Sequence, residues 1–491
     1  MNESEVAIYL GQKGYSIKKE NMEVKEQLAL RKDLMVKPFV PKSSMAKAVE
    51  FPLYRESKKK FYIPRYYGIE TYGKYEMSKI EDYKKIDLKF NGELREHQKP
   101  TVEKFVNHAH KKGGGLLELF TGYGKTVCAL KIIADLNVKT LIIVHKEFLL
   151  RQWVERIEQF LPDAKVGRLQ GSIIDIEDKD IVIGMLQSLS MKDYEIELFK
   201  SFGLTIVDEC HHIGAEVFSR ALFKVVTKYT LGLSATMKRK DGLTKVIKMF
   251  LGKVVVKKER EGKEKVCVKT INYEVIDEDF NRVELNFKGQ THYSKMIKKL
   301  CEFNPRRDFI LTVLEKILKE DKKCESQIMI LAHNRNLLTY LHDAIKYRGL
   351  ATVGYYVGGM KEEELKISEG KQVVIATYAM AEEGLDIKTL TTLIMATPKT
   401  DVTQAVGRIL RKKGKEKLVV DIVDSHEMFQ RQYTKRRRFY NKQNFKIMET
   451  DIKGFKKDDW TTYSRKKKTT KANSKNQPLL QGKLMFNLND D

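Results

Sequence analysis

At 491 residues and 42% apolar content, the chain is too long for one hydrophobic core and can fill several, so three or four structural units are expected. Lysine and arginine number 92 against 66 acidic residues, and a formal net charge of +26 favours a polyanionic partner, nucleic acid first. No stretch approaches the roughly 20 apolar residues of a membrane span, and residues 1–5 have neither the basic start nor the apolar core of a signal peptide, so a soluble intracellular protein with no membrane partner is expected.

Residues 1–90 carry many Tyr and Lys without helical periodicity, as around Phe51 to Gly68, and are read as a small N-terminal accessory domain. Between 91 and 252, short apolar runs at 116–119, 140–144, 180–184, 204–207 and 230–233 alternate with amphipathic stretches, the pattern of a parallel sheet covered by helices on both faces. The stretch 253–270 is dense in Lys and Glu and suits an exposed linker or a β excursion. The same rhythm restarts over 271–430, with apolar runs at 328–331, 373–376, 393–396 and 418–420, so the expected fold is α/β with two parallel-sheet lobes. Residues 431–463 open on a basic helical extension that interleaves Tyr433, Phe439, Tyr440 and Phe445 with cations. The rings are expected to pack and the charges to face solvent or phosphate. Residues 464–491 hold too few large apolar residues for a core and are expected to form a disordered basic tail.

Five scattered cysteines (Cys128, Cys210, Cys267, Cys301, Cys324) without a Cys-x-x-Cys pair indicate neither a disulfide framework nor a zinc site. His108 and His110 lie two apart on an expected helix and point to different faces, and the adjacent His211 and His212 cannot easily chelate one ion together.

The chemistry concentrates in a few strings. In Leu119-Phe120-Thr121-Gly122-Tyr123-Gly124-Lys125-Thr126, Gly122 and Gly124 let the backbone amides around Tyr123 turn toward phosphate oxygens. Lys125 brings a cation to the β- and γ-phosphates, and Thr126 offers a hydroxyl to Mg2+. The usual first glycine of such a loop is replaced by Leu119, so only the G-x-G-K-T half survives. Asp208 and Glu209 end an apolar strand, where a carboxylate should face a phosphate loop at the neighbouring strand's carboxyl end. Asp208 would hold Mg2+, and Glu209 would orient or deprotonate the attacking water of ATP hydrolysis.

With these strings in this order, the chain resembles the superfamily 2 helicases across about 94 to 424. It looks most like the XPB-like branch and the transcript-release helicases of large cytoplasmic DNA viruses. The resemblance implies two RecA-like lobes with ATP between them. Leu94-Arg95-Glu96-His97-Gln98 resembles the element whose glutamine, here Gln98, reads adenine, and Leu149-Leu150-Arg151-Gln152-Trp153 resembles the segment after the second strand. Ser234-Ala235-Thr236 resembles the coupling motif, and Met237 to Gly242, with Arg239, the arginine-and-acid extension of XPB-like enzymes. In the second lobe, Thr377 with Glu383-Gly384-Leu385-Asp386-Ile387 resembles the motif that touches the nucleic-acid backbone and senses ATP, which assigns Gly384 and Asp386 to the nucleotide. Gln404-Ala405-Val406-Gly407-Arg408-Ile409-Leu410-Arg411 resembles the arginine-finger motif. If helical, it puts Gln404, Arg408 and Arg411 on one face. Gln187, Ser188, Thr377 and Arg239 are the candidate nucleic-acid contacts.

The resemblance implies a DNA substrate, 3′-to-5′ movement, a role in viral transcription including transcript release, and an RNA polymerase or transcription complex as partner. The location implied is host cytoplasm or virion for a viral protein, the nucleus for a cellular one. The rival readings are an RNA-dependent ATPase, a DNA-repair helicase and a non-hydrolysing nucleic-acid adaptor; the last conflicts with the joint presence of Lys125, Thr126, Asp208, Glu209, Arg408 and Arg411. Deleting residues 464–491 removes seven basic and two acidic side chains. A salt titration of nucleic-acid binding should then show a flatter slope of log affinity on log salt, by about 0.7–0.9 for each phosphate that the tail neutralises. Equal slopes would discard the tail as a phosphate-binding arm.

Overall fold

The computed structural model describes residues 7–39, 49–80, 82–211, 215–237, 239, 241–260, 265–321, 326–383, 387, 389–410 and 416–463. Its first unit is a five-stranded sheet in the order Arg55–Glu56, Lys60–Ile63, Gly14–Lys18, Ile8–Gly11, Met77–Ser78. Strand alternation puts Leu10, Tyr15, Ile17, Phe61 and Ile63 on one buried face, under helices Val24–Asp33 and Arg65–Tyr72. The second helix escapes the sequence pattern because its buried face carries Arg65 beside Tyr67 and Gly68. Arg65 donates from Nη1 to the carbonyls of Thr227 and Lys228, and Tyr66 shares a 2.9 Å hydrogen bond with Thr230. The accessory unit therefore packs on the first lobe, and one apolar cluster runs from Tyr15 and Phe61 to Leu116, Phe218 and Phe250. The boundary at residue 90 needs correction: Ile86 and Leu88 already belong to the first lobe's other core, and Lys85 pairs with Val138.

The first lobe is an eight-stranded sheet in the order Ile173–Ile174, Val166–Gln170, Ile181–Met185, Thr140–Val144, Leu204–Val207, Tyr229–Ser234, Gly114–Leu119, Val254–Lys258. Ile173–Ile174 runs antiparallel; the other strands are parallel. Its central strands are buried on both faces, which is why they read as unbroken apolar runs. Tyr229–Ser234 lies between the strand that leads to the phosphate loop and the strand that leads to Asp208. The two are not neighbours, as the sequence reading supposed, and the intervening strand delivers Ser234 between them.

The second lobe repeats the plan in the order Val353–Tyr356, Val373–Thr377, Gln327–Ala332, Leu390–Met395, Lys417–Asp424, Val266–Tyr273, Lys446–Asp451, Thr461–Thr462. The linker expected at 253–270 is largely sheet: Val254–Lys258 extends the first lobe's edge and Val266–Tyr273 sits inside the second sheet. Likewise 431–463 is part of the second lobe. Helix Glu427–Lys442 buries Tyr433 and Tyr440, while Arg436 is buried against Asp421, with Nε to Oδ2 at 2.8 Å. The tail at 464–491 lies outside the described residues.

Arg65 is the polar anchor of the accessory unit, and Arg65→Ala would leave the buried Thr227 carbonyl short of a donor, at about 1–3 kcal/mol, and remove a part-buried bond to Lys228. The first thermal unfolding transition should move down, and proteolysis should enter between residues 1–80 and the first lobe. An unshifted transition would mean the apolar contact alone holds the unit.

Candidate functional site

The two sheets face each other across an open cleft of about 1750 Å3, lined from the first lobe by the phosphate loop, Asp208 and Glu209 and from the second by Thr377, Gln404 and Arg408. Strand Gly114–Leu119 ends in Leu119, fully buried, so the position of the missing glycine is spent on the core and the loop begins one step later. Gly122 and Gly124 then take φ of 90° and 97°, and helix Lys125–Leu136 starts directly behind them. A Cβ on Gly124 would stand 2.2 Å from Gln98 Nε2 and would have to displace that amide, and the positive φ strains any side chain there. The loop thus has the bare left-handed backbone and helix N-terminus that a phosphate chain requires.

Two buried side chains brace the loop from below. Gln98 donates from Nε2 to the Tyr123 carbonyl at 2.8 Å and accepts from Arg95 N at 2.9 Å. Tyr123 is buried, and its hydroxyl meets Thr101 and donates to the His97 carbonyl. In this state Gln98 and Tyr123 fix the loop's shape from the protein side. Thr126 lines the cleft one residue after Lys125.

Opposite, Lys125 Nζ meets Glu209 Oε1 at 2.8 Å. Glu209 has φ of 44°, a left-handed conformation that costs a non-glycine residue on the order of 1 kcal/mol and is held here by its amide donating to Asp208 Oδ1 at 2.9 Å. Asp208 is buried, accepts from Trp153 Nε1 at 2.9 Å, and is pushed up to about 6, first by desolvation and then by the Glu209 charge beside it. A buried carboxylate that resists its own ionisation suits a site completed by a cation. Trp153, on helix Glu147–Phe160, thereby has a place at the site that its motif string alone does not give it.

His211 ties these groups together. Its Nδ1 lies 2.7 Å from Ser234 Oγ and 3.4 Å from Glu209 Oε2, and its Nε2 lies 3.4 Å from Gln404 Nε2 of the second lobe. With the Gln404 amide donating, the imidazole proton sits on Nδ1 and is given to Ser234, whose hydroxyl in turn donates to the Thr236 carbonyl. One polar chain therefore runs from the second lobe, past the carboxylate, into Ser234-Ala235-Thr236. In the sequence His211 stands beside His212 as no more than a candidate metal ligand, and its position after Asp208-Glu209-Cys210 is the signal for its place at the site.

Helix Thr403–Ile409 brings Gln404 and Arg408 to the cleft, with Arg408 Nε donating to the Ala381 carbonyl at 2.9 Å. Arg411, Gly384 and Asp386 lie outside the described residues. Arg239 requires correction as a nucleic-acid contact. Its guanidinium is buried and paired with Asp241 through Nε at 2.8 Å, and it donates to the His211 carbonyl at 3.5 Å, so it braces the carboxylate loop from behind. Gln187 donates to the His145 carbonyl, Ser188 accepts from Gly171 N, and Thr377 lines the cleft. Arg260, also missed, lays its guanidinium 5.2 Å from the Phe120 ring and donates to the Leu410 carbonyl, tying the end of the interlobe stretch to both lobes.

Residues 91–239 match the family model described as "Type III restriction enzyme, res subunit", and residues 310–413 match "Helicase conserved C-terminal domain". The chain is 35% identical over 450 residues to a protein of Acanthamoeba polyphaga mimivirus named as an ATP-dependent RNA helicase, covering 89% of this chain and 85% of that one. The chain is a superfamily 2 helicase. This helicase is also 28% identical to a helicase of Invertebrate iridescent virus 6 (73% of this chain, 83% of that one) and 29% identical to the DNA 3′-5′ translocase XPB2 of Sulfurisphaera tokodaii (67% and 81%), in keeping with the XPB-like branch. Among solved structures, S. cerevisiae Dbp5 bound to RNA and ADP BeF3 shares the fold at 11% identity and a TM-score of 0.51, covering 74% of this chain and 91% of that one.

Glu209→Gln keeps the shape and removes the charge, so nucleotide binding should persist while hydrolysis falls by at least two orders of magnitude. Turnover at the parental rate would remove the role given to that carboxylate. His211→Ala breaks the path to Gln404 and Ser234 without touching Lys125 or Asp208, and should lower nucleic-acid stimulation of the ATPase more than its basal rate. Equal loss of both would make His211 a general brace only.

Proposed function

We propose that this helicase is a DNA motor that hydrolyses ATP in the interlobe cleft and moves 3′ to 5′ during viral transcription, including transcript release. What carries the reading is the contact of His211 with both Glu209 and Gln404, which makes the hydrolytic carboxylate sensitive to the position of the second lobe. Helicases use ATP, and the residues present fit it with a magnesium ion: Gly122, Gly124 and Lys125 would hold the phosphates, Thr126 and Asp208 the metal. Bound there, the ion would neutralise charge on the transferring phosphoryl group. Glu209 would take the proton of the attacking water, leaving Lys125 to the phosphates. Arg408, anchored through Nε, would with Arg411 meet the charge that develops on the γ-phosphate as the lobes close. Nucleic acid would cross both lobes, with Thr377, Gln187 and Ser188 facing its backbone.

DNA as substrate is supported by the likeness to a protein named as a DNA translocase, and a viral setting by the mimivirus and iridovirus relatives. An RNA polymerase or transcription complex as partner, and the host cytoplasm or virion as location, follow from the same reading. The names of the mimivirus and African swine fever virus relatives favour a second reading, an RNA helicase. ATPase rates with single-stranded DNA, duplex DNA and RNA at matched salt separate the two: DNA should stimulate most, and stimulation by RNA alone would overturn the proposal. In the same assay Arg408→Ala should lower kcat by at least tenfold and leave KM for ATP near its parental value, because a finger acts on charge that appears in the transition state.

A further inference from the structure

The accessory sheet has a second face, and its residues are not those of an inert surface. Register pairs Tyr9 with Ser16 and Ser16 with Tyr62, so the three side chains form one row across three strands, opposite to the buried face. Strand spacing sets the two tyrosines roughly 10 Å apart, with the small, buried Ser16 as a floor between them. Lysines surround the rings: Lys60 and Lys79 place Nζ 5.0 and 5.1 Å from the Tyr9 ring, and Lys13 stands 5.5 Å from that of Tyr62. Lys60 also donates to the Tyr9 hydroxyl at 3.1 Å. Across residues 1–80 the chain has 16 basic and 10 acidic side chains, so the charge of the whole unit favours an anion.

We infer that this face binds an unpaired strand of the nucleic acid on which the lobes act, with bases stacked on Tyr9 and Tyr62 and phosphates held by Lys13, Lys60 and Lys79. Two aromatic platforms in one row, ringed by flexible cations, meet the two requirements of sequence-tolerant single-strand binding: a π-face for each base and a positive border for the backbone. The ammonium groups now over the rings are on stems long enough to swing to a phosphate as a base takes their place. A duplex does not fit this chemistry, because its bases are stacked on each other and unavailable to the rings. Arg65 and Tyr66 fix the unit to the first lobe, so a strand held here stays attached to the motor through its cycle.

The full-length protein tests this directly, with fluorescence anisotropy of oligothymidylate and oligouridylate. Tyr9→Ala combined with Tyr62→Ala should weaken single-strand binding by about 30-fold or more, the least that loss of two base stacks implies. Tyr9→Phe with Tyr62→Phe should stay near the parental affinity, because the rings and not the hydroxyls are used. Lys13→Ala, Lys60→Ala and Lys79→Ala together should flatten the salt dependence by about 2, at about 0.7 per phosphate on a single strand. Ultraviolet crosslinking of the unaltered protein to oligothymidylate should mark peptides containing Tyr9 or Tyr62, a result that does not depend on how any variant folds. Weakened binding of either oligonucleotide supports the site and identifies the strand it takes. Parental affinity and slope in the alanine variants, or crosslinks confined to the lobes, would overturn it. So would lysine variants that lose binding to anionic phosphatidylserine vesicles while keeping that to oligonucleotides.

Discussion

The ion pair between Lys125 and Glu209 joins the phosphate loop to the carboxylate strand at 2.8 Å, and much of the first lobe is arranged so that these two charges meet. Each belongs to a different strand end, and a third strand lies between them in the sheet. In a low-dielectric cleft such a pair is stable only if other groups share its charge, and the neighbours do so. Asp208 is fixed by Trp153, Glu209 is held in a left-handed backbone by the Asp208 carboxylate, and His211 stands within reach of the second Glu209 oxygen. A γ-phosphate bound at this loop would bring negative charge to the same place and compete with Glu209 for Lys125, and in the proposed mechanism the carboxylate so released would be the one to take a proton from water.

The accessory unit and the first lobe share an apolar cluster, so their two sheets do not correspond to two independent bodies. This matters for force. A part attached only by a linker would dissipate the motion of the lobes, whereas one that buries Arg65 under carbonyls of the first lobe moves with it. The same logic applies at the interlobe stretch, where Arg260 lies on Phe120 and holds the Leu410 carbonyl, so that the joint between the lobes is itself in contact with the loop behind the phosphates.

The sequence made the two-lobe plan legible because parallel strands covered on both faces must be apolar at every position, and all nine expected runs fall on strands. Edge strands do not obey that rule. Val254–Lys258 has two exposed lysines and was hidden in a charged stretch, and its charge spilled over onto the reading of Val266–Tyr273. Helix Arg65–Tyr72 was obscured because its buried face carries a guanidinium that meets backbone carbonyls through Nη1, which periodicity scores as polar. The cleft itself was legible in its motifs but not in its second layer. Arg239 looked like a surface cation until Asp241, two residues on, claimed it, and burial is a property of the fold around a motif and not of its letters. Trp153 and His211 are similar cases: each lies in or directly after a motif, and only the fold shows which partner it faces.

Gly407 stands on the second lobe's helix directly against the phosphate loop, where a Cβ would come within 3.0 Å of the Thr121 Cβ. At this point the lobes approach each other with no side chain on the helix to hold them apart. Any substituent at Gly407 would press on the Thr121 side chain, so how closely the helix can sit on the loop at this point depends on the absence of a single carbon atom.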